Sequence, residues 1–363
     1  MLAALSLACA LQGAGLYGAD IDLPDPTWVE LEGERYGAWG DELGPIGGGA
    51  GYAGGLAGGD YVVRSVDELL SALERAQPGE VVYLPGEVEL DLSARVCVDE
   101  LVLGVPGGVT LASDRGRGGS RGALLFSDEL RTRPLIRILG PDARLSGLRL
   151  RGPDPERRLD HHRRAFQEGR GSDDFYALPT SDGVECAHDR LRIDGCELAG
   201  WSHAAVFLRA GEGHRVDHSA LHHNQRQGLG YGVCVDRAQV AIERNLFDAN
   251  RHSIAGTGRP GSGYVARHNV ERGVSLSHCF DMHGGRDRQD GTNVAGSWML
   301  VEHNLFLAPQ RALVVRGEPE QSARFERNWC VQDSARGAVA GESRTRLGSN
   351  AYGRAQPRLI EGG

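Results

Sequence analysis

The stretches IDGC (193–196), VDHS (216–219), IERN (242–245), VEHN (301–304), FERN (325–328) and LGSN (347–350) decide the fold of this chain. Each begins with an apolar residue, continues through two mostly polar positions and ends on Asn or a small residue; ARHN (266–269) is a related copy. The final residues, Cys196, Ser219, Asn245, Asn269, Asn304, Asn328 and Asn350, are spaced 23, 26, 24, 35, 24 and 22 apart. A period near 24 sustained over seven turns, with one turn lengthened, marks a repeat architecture. Leucine-rich repeats need an LxxLxL pattern that is absent, and propeller blades need ~40 residues. What remains is a coil of short parallel strands, because one rung cannot bury its apolar face alone. Rungs stack ~4.8 Å apart, so Asn245, Asn269, Asn304 and Asn328 lie above one another. Their amides then bond along the stack and hold a tight turn.

Working outward, Ser65-Val66-Asp67-Glu68 is a capping box, and Val66, Leu69, Leu70 and Leu73 follow at helical spacing up to Pro78-Gly79. This predicts a helix over 66–76. From Glu80 onward the chain reads as short strands (VVYL, VELDL, VTLAS, ALLF, LIRIL) separated by Gly, Pro or Asp. Residues 61–355 therefore form one coil domain. Before it lies a Gly-rich lead-in at 20–60, whose stretch 44–59 holds nine glycines and reads as a wrapping loop or a flexible linker. Two segments, 152–182 and 284–296, lack rung spacing and read as insertions; loops on a rigid coil commonly wall a binding groove. Residues 2–11 (LAALSLACAL) are apolar and small, so 1–19 is expected to be a removable leader, with a secreted or periplasmic location.

The 363 residues are 40% hydrophobic and 25% charged, an ordinary globular composition. No apolar run approaches the ~20 residues of a membrane span. The chain has no lysine, so its 40 basic residues are all arginine, against 49 acids. A net charge of −9 argues against nucleic acid as a partner. Arginine suits planar carboxylate partners, and no lysine is available as a general base. The cysteines form no CxxC pair, which argues against a structural zinc site; Cys186 and Cys196 are near enough in sequence to bridge in an oxidising compartment.

The capped helix, the following AQPGEVVYLPGEVEL (76–90) and the Asn-ladder rungs together resemble the pectate lyase superfamily over roughly 60–355. The resemblance implies an all-β fold, a right-handed single-stranded parallel β-helix with an N-terminal capping helix. It also implies carbohydrate-active sites on the outer wall, where many members cleave uronic-acid polymers by β-elimination and others hydrolyse or epimerise glycans. The catalytic patterns of the superfamily do not carry over. Arg259-Pro260 is followed by Gly261-Ser262 instead of completing an RxPxxR strand. Asp173-Asp174 stands without a GHG motif, and DPHD is missing.

Ten of 13 histidines lie within 201–320, a window with 13 Arg and 12 acids, so the middle rungs are less acidic than the ends. Counting from the ladder residues stacks His203, Arg226, His252 and Arg311 in one column, with His278 close by on the long rung. A second column holds Leu208, Tyr231, Thr257, Asp281 and Arg316. A β-helix keeps apolar ladders inside, so these polar columns are expected to face out, and Asp281 and His283 share a face. The candidate catalytic residues are His252, Tyr231, Asp281, His283 and Arg251. The candidate substrate contacts are Arg226, Arg259, Arg286, Arg311 and Arg316. Elimination needs a base for the proton α to a carboxyl group and cationic donors for the developing charge; His252 or Tyr231 suits the first role. The cofactor is left open, with a divalent metal at His278, Asp281 and His283 as an option. The alternatives are a glycoside hydrolase, which needs two carboxyl groups ~5–9.5 Å apart, and a non-catalytic glycan-binding coil.

Overall fold

The chain is a right-handed parallel β-helix of three sheets, described for residues 26–360 by a computed structural model; the expected leader at 1–19 lies outside the described residues. The first sheet stacks eleven strands from Tyr61–Val62 to Thr345–Leu347. The second stacks eleven from Glu89–Asp91 to Arg358–Ile360, and the third nine from Leu103–Val105 to Val339–Ala340. Successive turns pair in parallel; the last strand of the second sheet folds back antiparallel on Asn350–Tyr352, and Trp28–Leu31 with Glu34–Gly37 forms a separate antiparallel pair ahead of the coil.

The turn between the first and second sheets carries the asparagine ladder. Asn269 Oδ1 accepts from the Asn245 backbone N–H at 2.9 Å and from its Nδ2 at 3.2 Å. Asn304, Asn328 and Asn350 repeat this arrangement down the stack. The residues just before the ladder, Arg244, His268, His303 and Arg327, all have φ of 53–55°. This left-handed conformation turns the chain, while the asparagine amide satisfies the backbone groups that the turn leaves exposed to the core. His268 and His303 stack at 5.2 Å beneath Trp39, so they belong to this turn.

The helix forms at Val66–Arg75. Ser65 Oγ accepts from the Glu68 N–H at 3.3 Å while Glu68 Oε2 accepts from the Arg64 N–H at 2.7 Å. Leu69, Ala72 and Leu73 are buried on the open end of the coil. The glycine-rich lead-in wraps the outside of the coil. Tyr36, Ala38 and Ile46 cover Leu246, Val270, Leu305 and Trp329 on the second sheet. Asp41 bridges His218 Nε2 at 3.0 Å and Arg244 Nε at 3.1 Å. Gly48 shows why this segment is rich in glycine: its φ is +65°, and a Cβ there would stand 2.2 Å from the His218 carbonyl oxygen.

The insertion at 152–182 is ordered. Its helices, Leu159–Phe166 and Gly171–Ala177, fold across the third sheet, where Ala165 and Phe175 pack on Ala204, Phe207, Leu229, Tyr231, Cys234 and Ala255. The small outward residues Cys234 and Ala255 leave room for Phe175. All six described cysteines are free, so Cys186 and Cys196 form no bridge.

Candidate functional site

Strand His252–Gly256 of the third sheet pairs with Tyr231–Val235 on one side and Phe280–Met282 on the other. Ile254, Phe280 and Met282 belong to the interior core, so by strand alternation Asp281 projects outward. A second asparagine pair sets the entry to this strand. Asn224 Nδ2 donates to Asn250 Oδ1 at 2.9 Å, and Asn250 Nδ2 donates to the Leu221 carbonyl and to Ser253 Oγ. The bend just before Arg251 and His252 is thereby held rigid.

Asp281 is the hub. Its Oδ1 receives His278 Nε2 at 2.8 Å and Arg316 Nε at 3.0 Å. Its Oδ2 lies 2.8 Å from His283 Nε2 and 3.9 Å from His252 Nε2. The His283 contact has ion-pair distance without hydrogen-bond alignment, and both buried atoms lack a hydrogen-bond partner. Burial alone would raise the Asp281 pKa, but the surrounding His278 and His283 hold it well below the carboxylate range, so it is ionised at neutral pH. His252 is fully buried, and burial pushes its imidazole well below the usual value against the pull of Asp281. It is therefore neutral. Its Nδ1 lies 2.6 Å from the His278 carbonyl oxygen, which can only accept, so the proton sits on Nδ1 and Nε2 carries the lone pair.

Arginines flank this centre on two sides. Arg316 commits Nε to Asp281; its Nη2 sits 3.3 Å from His278 Nε2 and 3.5 Å from His252 Nε2, and its Nη1 is 3.5 Å from Asp287. Arg251 lies with its guanidinium carbon 6.0 Å above the Tyr231 ring, and its Nε and Nη1 are buried with no hydrogen-bond partner.

His252, His278 and Asp281 bring ligand atoms within 4.8 Å of one another. Imidazole with carboxylate is a donor set that first-row divalent ions accept. The guanidinium of Arg316 stands where these atoms converge, so the cluster already holds a cation and the residues as arranged do not fit a metal.

The structure gathers His252, Asp281, His283, His278, Arg316 and Arg251, stacks the Tyr231 ring 5.9 Å from that of His252, and separates Arg226, Arg259, Arg286 and Arg311 from them. The two polar columns do not stack as counted. Tyr231 pairs with His252, Asp281 pairs with Ala255, and Thr257 Oγ1 binds Asp236 at 2.7 Å. Neither column is open to solvent at its centre, since His252 and Asp281 are 0% exposed and Tyr231 lies under Phe175. Burial also pushes the Tyr231 hydroxyl pKa up, so it stays protonated. Arg226 does not face a ligand. It is fully buried and donates to the carbonyls of Phe175, Leu178 and Pro179, holding the inserted helices in place. Arg259 is paired with Asp236 at 3.1 Å, and Arg286 projects outward near Glu342 at 3.9 Å. The exposed side chain of Arg311 takes no part in the cluster; its backbone carbonyl accepts from the Cys279 N–H.

The fold is shared with solved carbohydrate-active proteins. An alginate lyase from Paenibacillus sp. str. FPU-7 superposes with a TM-score of 0.52 at 13% identity, covering 80% of this chain and 94% of that one. The A-module of the Azotobacter vinelandii mannuronan C-5 epimerase AlgE6 matches at TM-score 0.44 and 17% identity, over 78% of this chain and 76% of that one. A Yersinia enterocolitica family 28 exopolygalacturonase matches at 0.43 and 12%, over 79% and 62%. No family model matches the sequence, and no curated protein matches it. Among the described residues, no helix is long and apolar enough to cross a membrane.

Proposed function

We propose that this protein is a polysaccharide-active enzyme that cleaves an acidic, uronic-acid-containing glycan by β-elimination around Asp281. The observation that carries this reading is the bare donor pair of Arg251. Two buried donors, Nε and Nη1, left unpartnered on the half-buried Arg251 are a costly arrangement that a carboxylate relieves, each charge-assisted hydrogen bond contributing ~1.5–3 kcal/mol. Arg316, with only its Nε on Asp281, adds donors on the other side of His252. These two arginines neutralise the substrate carboxylate as negative charge grows on it during removal of the neighbouring proton.

The base is an imidazole, and burial selects which one. His252 has no exposed surface and acts by orientation: its Nδ1–H fixes the His278 carbonyl. The His278 side chain is 15% exposed, its Nε2 donates to Asp281, and its Nδ1 has only Ser277 Oγ at 3.4 Å. The Nδ1 lone pair takes the proton α to the carboxyl group, that C–H pair becomes the new C=C bond as the glycosidic C–O bond to the β carbon breaks, and the departing oxygen is protonated by water; ionised Asp281 balances the imidazolium that results. His283, 25% exposed on the other carboxylate oxygen, borders the same face. Hydrolysis ranks behind elimination because Asp281, held ionised, cannot supply a proton, which leaves Asp287 as the nearest acid. The Paenibacillus neighbour supports a glycan lyase on this fold, and a polymer substrate fits an exported protein with a leader at 1–19.

The test is incubation with a panel of acidic polysaccharides, alginate and polygalacturonate included, following ultraviolet absorbance of unsaturated chain ends beside reducing sugar. Absorbance supports elimination. Reducing ends without absorbance make the protein a hydrolase, and binding without either makes it a glycan-binding coil.

A further inference from the structure

Beside the inserted helices lies a cavity of about 410 Å³, lined by Arg133, Arg137, Tyr176, Asp182, His203 and Arg209 among others. It continues, past Arg133, Arg137 and Tyr176, into a larger one that includes Arg131. We infer that this cavity is a separate binding site for a carboxylated sugar, distinct from the Asp281 centre. The inference goes beyond the proposed elimination, and rests on that reading only for the choice of uronate as the sugar class.

Three features of the cavity point to such a ligand. Asp182, 6% exposed, holds His203 Nδ1 at 2.5 Å, so the imidazole is fixed by one nitrogen and its Nε2 has no protein partner. Arg133 spends Nε on the Thr180 carbonyl at 3.1 Å and leaves both Nη groups uncommitted, a fork matched to a carboxylate. The Tyr176 ring is 60% exposed at the rim of both cavities, an apolar face for the hydrogen-bearing side of a sugar ring. Arg137 and Arg209 are not free in the same way, since both pair with Glu185, which makes them walls of the cavity rather than its receptor.

The site is separate in space as well as in chemistry. Asp182 pairs with Ala204, Ala204 with Tyr231 and Tyr231 with His252, so Asp182 stands three rungs or ~14 Å along the coil from His252, and the Tyr231 ring stands between His203 and His252, 5.6 Å from one and 5.9 Å from the other. Phe175 of the insertion packs on the rungs between them. A glycan bound at the Asp281 centre thus leaves this cavity for another chain.

The experiment is isothermal titration of the full chain with trigalacturonate and trimannuronate, with their carboxyl-reduced counterparts as controls. Two sites per chain are expected for an acidic trimer and none for the reduced one. Tyr176→Ala and Arg133→Gln, on exposed side chains outside the elimination centre, should weaken one site by about ten- to a hundred-fold, the loss of a charge-assisted bond, and leave the other unchanged. Arg251→Gln should do the reverse. A single site that responds only to Arg251→Gln overturns the inference while leaving the proposed elimination standing. A site that responds only to Tyr176→Ala and Arg133→Gln upholds it and counts against the Asp281 centre. No binding of either trimer, or equal binding of the reduced trimers, overturns it as well.

Discussion

Glu271 is an acid inside the coil, and its effect on stability can be worked from where it sits. Its strand pairs with Leu246–Phe247 on one side and Leu305–Phe306 on the other, so the carboxyl is sandwiched in the interior column between Phe247 and Phe306. It is 0% exposed, and neither oxygen has a hydrogen-bond partner in good geometry, although Ser253 lies near enough to favour the charge slightly. Burial raises the pKa from 4.5 to about 8, with the charge of Asp248 adding to it. The folded chain therefore holds this proton in a range where the unfolded chain has released it. Folding stability is highest below about pH 4.5 as far as this group is concerned, falls as pH rises to about 8, and is level above that. At ~1.4 kcal/mol per unit, the full span amounts to ~5 kcal/mol, and ~3 kcal/mol is already lost by pH 7. That is a large part of the ~5–15 kcal/mol of an ordinary domain. The perturbation is Glu271→Gln, which keeps the shape and removes the titration. The amide brings donors that need partners, so the absolute stability of the variant is not the readout. The readout is the difference between variant and wild type in urea unfolding at pH 5, 6, 7 and 8. It should move in favour of the variant by ~1 kcal/mol or more per unit and flatten near 8. A difference constant within about 1 kcal/mol across that range would refute the assignment of a protonated interior acid.

Asn269→Ala removes a ladder member with partners above and below, leaving the Asn245 N–H and the Ile242 carbonyl without their bonds, and should destabilise the coil by ~2–6 kcal/mol in chemical denaturation. Arg226→Met strands three carbonyls of the insertion and should make 159–177 far more sensitive to limited proteolysis while the first and second sheets keep their hydrogen-exchange protection. On whichever acidic glycan gives unsaturated ends, His278→Ala and Asp281→Asn should each lower kcat by ~10²–10⁴, whereas Tyr231→Phe should leave it within a few-fold, since that hydroxyl is buried under Phe175. Intact-mass measurement of the natural protein should show a mature start after residue 19; retention of Met1 would count against export.

The coil was legible because its signal is local and repeated. The ladder asparagines Asn245, Asn269, Asn304 and Asn328 each follow a residue in the left-handed conformation, so the same four-residue pattern recurs with the rung length, and the hydrogen bonds from Asn245 to Asn350 follow the spacing read from sequence. The helix was legible for the same reason, since Ser65 and Glu68 satisfy each other's neighbouring backbone groups without help from the rest of the fold. The packing of 152–182 was not. That segment is charged and has no rung period, and its order comes from one buried arginine and one phenylalanine seated on small residues far along the chain.

The candidate site was half legible, and the reason is arithmetic on the rungs. Leu208, Val235, Gly256, Met282 and Val315 align on successive strands, yet they follow their ladder residues Cys196, Ser219, Asn245, Asn269 and Asn304 by 12, 16, 11, 13 and 11 positions. The bend from the second sheet to the third has its own length in each turn, so a count started at the ladder loses register there. The largest excess belongs to the rung with loop 225–230, where Gly228 and Gly230 take φ of 91° and 77°. That loop moved Tyr231 opposite His252, and the two-position difference between the Asn245 and Asn269 rungs placed Asp281 opposite Ala255. A one-position slip on a strand also reverses which face a side chain takes, so fixed offsets could find the right rungs without finding the right neighbours. Asp281 and His283 survived because the short strand FDM keeps them two apart whatever the bend does. Exposure was out of reach in the same way. Alternation says that Asp281 leaves the core, but its burial is produced by His252, His278, His283 and Arg316 closing around one carboxylate, a convergence of side chains that sequence separations of up to 64 residues conceal.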